Sequence, residues 1–311
     1  MSALTTILKN FQYERVLSHN TRTKMIHLLG QVDGQACILS LEKLPYDDHA
    51  IPTLGQHVDT LADEVENNIY GWGLGHIRLE HLDTQIKYIY PATDLHIRKY
   101  EDQQRYLIKE TPTVYDEVTR PYINSIPATR IDWVHNILNG KAEVDRVLYH
   151  DKHEENGFVI LPDMKWDGHP DSLYLVAIVM NPSLTSLRSL TTNHIPLLER
   201  IQSTSIKIAQ EQQQQSAATS DIITDPPQLR CFIHYQPSYY HLHIHITALS
   251  MQDPPGAMVG QAHLLDSVID NLTLYPDYYQ KATLSYVIGE QHPLYSNYTT
   301  WLKQQDKDKK Y

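Results

Sequence analysis

Cysteine is scarce in this chain. Only Cys37 and Cys231 occur among 311 residues, which excludes a disulfide scaffold, leaves no cysteine framework for a metal and points to a reducing compartment. Twelve Gly and 17 Pro are too few for a collagen-like or low-complexity chain. Basic residues are in deficit as well: 26 Lys and Arg against 37 Asp and Glu leave a net charge of −11. A surface of that sign repels the backbone of a long nucleic acid, so a nucleotide ligand must be gripped in a local pocket. No stretch approaches the roughly 20 consecutive apolar residues of a membrane span, and the N-terminal run around Lys9 lacks the layout of a secretory signal. The expectation is a soluble intracellular protein. What the chain does have is 41% hydrophobic residues, enough for one or two cores, and 18 His and 21 Tyr beside only 3 Phe.

Hydrophobic periodicity places a helix over residues 4 to 17, then strands at Met25 to Leu29 and Ala36 to Leu41 joined by the turn Asp33-Gly34. A second strand pair is expected at Ile77 to Leu82 and Gln85 to Tyr90. Helix formers from Thr93 to Glu110 predict one connecting helix, broken by Pro112 before a further helical stretch from Val114 to Tyr122. The boundaries drawn from this are an N-terminal domain over 1–98, a connecting helix or hinge over 99–112 and a C-terminal domain over 113–311. Beyond the hinge, Asp132 caps a helix to about Ala142. Strands follow at Arg146 to His150, Gly157 to Leu161 and Leu173 to Met180, then a long helix from His194 into the glutamine run at 210 to 215. That run, with Ser216 to Ser220 and Pro226-Pro227 after it, reads as a solvated helix end and loop. Strands at Leu229 to Tyr235 and His241 to Leu249, an amphipathic helix from Gly260 to Leu274, a strand at Thr283 to Ile288 and a terminal helix complete an α+β pattern without internal repeats.

The run HYQPSYYHLHIHI at 234 to 246 carries the chemistry. Successive strand side chains alternate faces, so His241, His243 and His245 share one face while Leu242, Ile244 and Ile246 bury the other. Two readings compete. The imidazoles bind zinc as part of a three-ligand site, although three on one strand face suit tetrahedral geometry poorly. Alternatively the middle imidazole attacks phosphorus as a nucleophile while its neighbours orient it and hold phosphate oxygens. Ser238 and Tyr239, hydroxyl donors in the turn before the strand, favour the second.

The alternation His-φ-His-φ-His-φ at 241 to 246 resembles the histidine-triad motif of nucleotide hydrolases and transferases. With NGFVILPDMKWDG at 156 to 168 and WVHNILNGKAEVDRVLY at 133 to 149, the long histidine run is similar to the scavenger mRNA decapping enzymes, fungal members in particular. The resemblance covers Tyr70 to about Gly289. It implies hydrolysis of the cap of short capped RNA fragments or of a cap dinucleotide, releasing 7-methylguanosine monophosphate through a histidyl-nucleotide intermediate, with no metal or other cofactor. His243 then matches the nucleophile and His241 and His245 its flanking residues. His234, Ser238, Tyr239 and Lys99 match phosphate contacts.

Cap recognition has its own physical logic. Methylation at N7 makes guanine cationic, so an aromatic platform gains about 0.5–2 kcal/mol from cation–π attraction. Trp133 is the candidate platform. The N1 and N2 donors of the base call for a carboxylate, and Glu143 lies ten residues on. Taken alone, Trp133 reads sooner as a helix-face core aromatic and Glu143 as a solvated helix charge; both match the family pattern. Pro162, Asp163, Met164 and Lys165 match the segment closing the other side of the base, with Met164 where relatives are expected to carry Leu. Asn67 and Tyr70 match a lid from the first domain. Gln261 departs from the pattern, standing at the start of a helix where a basic phosphate contact is expected.

The resemblance further implies a homodimer with exchanged N-terminal domains, residence in cytoplasm and nucleus, and exclusion of long RNA. Two alternatives stay open: a dinucleoside polyphosphate hydrolase of the triad superfamily, and a non-catalytic cap-binding paralogue that forms a heterodimer with an active relative.

Overall fold

Asp33 and Gly34, both at positive φ (50° and 75°), form the two-residue turn whose twist suits a hairpin, and around it the first sheet is built. Helix α1 (Ala3–Asn10) leads into strands β1 (Gln12–Asn20), β2 (Met25–Val32) and β3 (Gln35–Lys43). A separate hairpin of β4 (Val58–Asn67) and β5 (Tyr70–Ile77) follows, then β6 (Thr84–Ile89) and α2 (Asp94–Tyr100). The sheet order is β1-β2-β3-β6, and Ile7, Val32, Cys37 and Leu39 form part of its core. This computed structural model describes residues 3–44, 51–77, 84–166, 168–216 and 227–308, and the chain divides into two compact units, residues 1–103 and 104–311.

Two expectations fail in this part of the chain. The helix predicted over 4 to 17 ends at Asn10, and the following residues form β1, where Leu17 is buried against Leu29 and Ile38. Strand β6, expected to pair with 77 to 82, pairs with β3, matching Ile86 to Leu41 and Ile89 to Ile38. Of that predicted partner, residues 78–82 lie outside the described residues. The connecting helix expected over 99–112 is also absent. Helix α2 stops at Tyr100, and Arg105–Glu110 is strand β7. Tyr106, Ile108 and Glu110 turn inward at period two, and pairing with β14 (Leu284–Gly289) overrides the helix propensity of Leu, Lys and Glu.

The second unit continues through α3 (Pro112–Val114), a π turn over Tyr115–Thr119, α4 (Arg120–Ser125) and α5 (Asp132–Leu138). Asp132 is the first helical residue of α5, not its cap, and the helix ends short of Ala142. Then come β8 (Tyr149–His150), β9 (Phe158–Pro162), β10 (Tyr174–Val179), α6 (Ile195–Ser216), β11 (Leu229–His234), β12 (His243–Ala248), β13 (Ala262–Leu264), α7 (Leu265–Leu274), α8 (Tyr278–Lys281) and α9 (Pro293–Asp308). Strand β8 is shorter than expected because Val144–Arg146 wind into a 3-10 turn after Glu143 at positive φ. The glutamine run ends α6; residues 217–226 lie outside the described residues. Gly260 at φ +82° and the pairing of Ala262 with His234 turn the expected helix start into edge strand β13. Gln261 therefore lies before a strand, its carbonyl accepting the Tyr235 N–H at 2.7 Å.

The six strands run in the order β13-β11-β12-β10-β9-β8, antiparallel throughout. Ile244 and Ile246 join one core with Leu197, Leu198 and Ile201 of α6. Val134, Ile137 and Leu138 of α5 pack with Val159, Leu161 and Ile178 in a second. The molecule is α+β, and its triad strand is central.

Candidate active site

Register decides what faces the cleft. His243 pairs with Ile178 and His245 with Val176 on β10, and directly paired residues share a face of the sheet. These four side chains floor an open cleft of about 760 Å³. Trp133 and Ile137 of α5 wall it on one side, Leu161 and the 162–165 segment on another, and Ser238 and Tyr239 on a third. Glu143 and Arg146 complete the rim. His241 stands just before the strand. It and His234 are buried beside this lining, His234 with its ring 4.1 Å from that of His245. Gly256 lets the chain close over His234, because a Cβ there would fall 2.3 Å from Nε2.

The imidazoles are oriented by carbonyls. His243 Nδ1 lies 2.8 Å from the His241 carbonyl, which only accepts, so Nδ1 carries the proton. A neutral His243 therefore presents a lone pair on Nε2. That atom is buried and has no hydrogen-bond partner among the described residues. His241 Nε2 donates in the same way to the Val179 carbonyl at 2.7 Å, and His245 Nδ1 meets the Tyr174 hydroxyl at 3.2 Å. Burial above all, reinforced by the neighbouring imidazoles and by Lys165, pushes His243 down to about 4 and His245 to about 2. His234 falls to about 4 through burial and then Lys165. The cluster is uncharged at neutral pH. The Tyr239 ring lies flat on His243, 4.1 Å between centroids, and its edge meets Trp133 at 4.9 Å. Burial raises the Tyr239 pKa, so its hydroxyl remains a donor.

Keeping these rings neutral has a consequence in acid. Unfolded, each takes up a proton near 6.5; folded, His234 and His243 do so near 4 and His245 near 2. Between about pH 6.5 and 4 the unfolded chain binds more protons, so stability falls as pH falls. The melting temperature is expected to decline steeply through that window. His243→Asn should make the slope shallower by up to one proton. An unchanged melting temperature from pH 7 to 5 would contradict the buried neutral cluster.

Two large apolar side chains remain open to solvent at the cleft, Trp133 at 44% and Met164 at 89% exposure. Asp163 Oδ1 accepts the Lys165 N–H at 2.9 Å, so this carboxylate shapes the turn that presents Met164 and Lys165. Lys165 also lies over the Tyr174 ring at 5.2 Å. Arg146, absent from the sequence-based candidates, pairs with Glu143 Oε2 and donates to the Pro162 carbonyl at 2.9 Å. This joins two sides of the cleft and leaves Glu143 Oε1 for a further donor. Its spacing of three from Glu143 was a usable signal; the tie between Tyr174 and His245, 71 residues apart, had none. Among the described residues, no three His, Cys, Asp or Glu side chains come together in a way that could hold a metal ion.

Three candidates belong to the first unit. Asn67 and Tyr70 pair at the closed end of the β4-β5 hairpin, with Tyr70 exposed. Lys99 lies on α2 with Nζ 5.9 Å from the Tyr100 ring centroid.

A central antiparallel strand bearing paired imidazoles, one with its Nε2 lone pair left unprotonated by tautomer and neutral charge, defines a histidine-triad domain. Residues 132–258 match the family profile described as "Scavenger mRNA decapping enzyme C-term binding", and residues 6–103 match "Scavenger mRNA decapping enzyme (DcpS) N-terminal". A protein named m7GpppX diphosphatase from Schizosaccharomyces pombe is 38% identical over 301 residues, covering 94% of this chain and 95% of its own. Proteins of the same name from Ascaris suum and Homo sapiens are each 37% identical, over 93% and 91% of this chain and 93% and 83% of theirs. The chain belongs to the scavenger mRNA decapping enzyme family.

Proposed function

We infer that this protein hydrolyses the 7-methylguanosine cap of short capped RNA fragments or of a cap dinucleotide, releasing 7-methylguanosine monophosphate. One observation carries the reading: a single cleft joins an open aromatic platform, Trp133, and a carboxylate, Glu143, to the neutral His243. In this reading Trp133 and Met164 sandwich the cationic base and Glu143 Oε1 accepts from its N–H groups. His243 Nε2 attacks the adjacent phosphorus, the P–N bond forming as the P–O bond to the departing nucleoside diphosphate breaks. Water then cleaves the P–N bond and frees the nucleoside monophosphate. Lys165, Ser238 and Tyr239 hold phosphate oxygens, while His241, His245 and His234 keep the nucleophile neutral and aligned.

Asn67, Tyr70 and Lys99 of the first unit close over the ligand in the same proposal, within a homodimer resident in cytoplasm and nucleus. Exposed Leu61, Val65, Trp72 and Leu74 on the two-stranded β4-β5 ribbon support the dimer, because an isolated apolar ribbon is marginal in water. The net charge of −11 supports short substrates.

The deciding experiment incubates the purified full chain with methylated cap dinucleotide, with and without EDTA, and separates the products. Expected are 7-methylguanosine monophosphate and a nucleoside diphosphate in both conditions. Binding without turnover would make the chain a regulatory cap binder, and equal turnover of an unmethylated dinucleotide would make it a dinucleoside polyphosphate hydrolase.

A further inference from the structure

Behind the 235–240 turn lies a buried ionic cluster that the chemistry above does not use. Glu110, at the end of β7, is fully buried, and Arg188 is 4% exposed. Arg188 donates from Nη2 to Glu110 Oε1 at 2.8 Å and to the Glu110 carbonyl at 2.9 Å. Its Nη1 reaches the carbonyls of Tyr279 and Ala282 at 2.7 and 2.8 Å, so the guanidinium is fixed to the frame of the unit. The carboxylate also holds the turn. The Tyr235 hydroxyl donates to Oε1 and accepts from Arg188 Nε at 3.4 Å. Gln236 Nε2 donates to Oε2 at 3.0 Å, and the Tyr240 hydroxyl donates to Gln236 Oε1 at 2.9 Å.

Taking such a pair out of water gains little stability over well-packed apolar residues, so its use lies in the geometry it imposes. Entrance and exit of the turn are both tied, directly or through Gln236, to one carboxylate. Between them stand Ser238 and Tyr239, which line the cleft, and Tyr239 lies flat on His243. We propose that Glu110 and Arg188 are positioning residues for hydrolysis: they hold the 235–240 turn so that Ser238 and Tyr239 keep their places against His243. The proposal rests on the cap-hydrolysis reading. Neither residue touches substrate.

The test uses full-length Glu110→Gln and Tyr235→Phe proteins, which cut the same link at its two ends. For each, kcat on methylated cap dinucleotide is expected to fall about ten- to a hundredfold, the size of effect that a displacement near 1 Å produces. Affinity for the nucleoside 7-methylguanosine, which carries no phosphate and engages Trp133 and Glu143 outside the turn, should be unchanged. The double variant should lose no more than the worse single one, because the link is broken once. A merely structural role would instead lower the melting temperature and leave kcat per folded molecule intact. Ile201→Val in the core beneath the sheet should behave in that way. If Glu110→Gln fails to fold, Tyr235→Phe carries the test, since it removes only a hydroxyl. Native kcat in a folded variant, or an equal loss of nucleoside binding, overturns the proposal. If the native protein shows no turnover, the functional reading falls separately. The ring-current-shifted NMR signal of the His243 imidazole then decides the positioning role: it must move in Tyr235→Phe, and an unmoved signal overturns the role.

Discussion

A His243→Asn protein is expected to bind the methylated cap dinucleotide as tightly as the native chain and to hydrolyse it at least about 10⁴-fold more slowly, the scale on which loss of a nucleophile is felt. The asparagine amide can still donate to the His241 carbonyl that fixes His243 Nδ1, so the strand and its neighbours keep their places. What disappears is Nε2, the only atom of the residue with a free lone pair in the neutral form. His241→Asn and His245→Asn remove neighbours of the nucleophile and should cost less. Circular dichroism and melting curves establish that the variants fold, and single-turnover kinetics then isolate chemistry from product release. Appreciable hydrolysis by folded His243→Asn would remove this residue from the mechanism.

The cleft was legible because most of its parts come from local patterns. Period-two alternation at 241 to 246 marks the imidazole face whatever the neighbouring strands are, and Trp133 and Glu143 lie within one short segment. Pairing and support were not legible. The segment RYLIKE consists largely of good helix formers and becomes β7 only because β14, some 180 residues later, supplies its hydrogen bonds. Glu110 and Arg188 are 78 residues apart, and each alone reads as a solvated charge; only the folded unit buries them together. Gln261, read as a side chain missing a charge, contributes a backbone carbonyl to the end of β11, which no residue-type argument could reveal.

Trp133→Ala and Glu143→Gln should weaken cap binding in distinguishable ways. The Trp133 ring, 44% exposed in the free protein, has area left to cover and a π face for the positive charge that methylation places on the base. Its removal costs the cation–π attraction, about 0.5–2 kcal/mol, together with the burial of the ring, so affinity should fall at least about tenfold. Because the lost attraction depends on the charge, preference for methylated over unmethylated cap should fall with it. In the proposed function Glu143 meets the other edge of the base, whose N1 and N2 donors methylation leaves in place. Glu143→Gln puts a donor where an acceptor is needed and forfeits a charged hydrogen bond worth roughly 1.5–3 kcal/mol, about ten- to a hundredfold in affinity. Selectivity for the methyl group should survive that substitution. Arg146→Ala separates direct from indirect action: it leaves the carboxylate intact and removes a half-exposed ion pair worth about 0–1 kcal/mol, so its effect on binding should be the smallest of the three. Fluorescence titration of the native, Glu143→Gln and Arg146→Ala proteins, with calorimetry where Trp133 is gone, measures all four affinities. Equal binding of methylated and unmethylated caps by the native chain would remove Trp133 as the platform, and an Arg146→Ala loss as large as that of Glu143→Gln would make Glu143 a support for the 162–165 segment rather than a partner of the base.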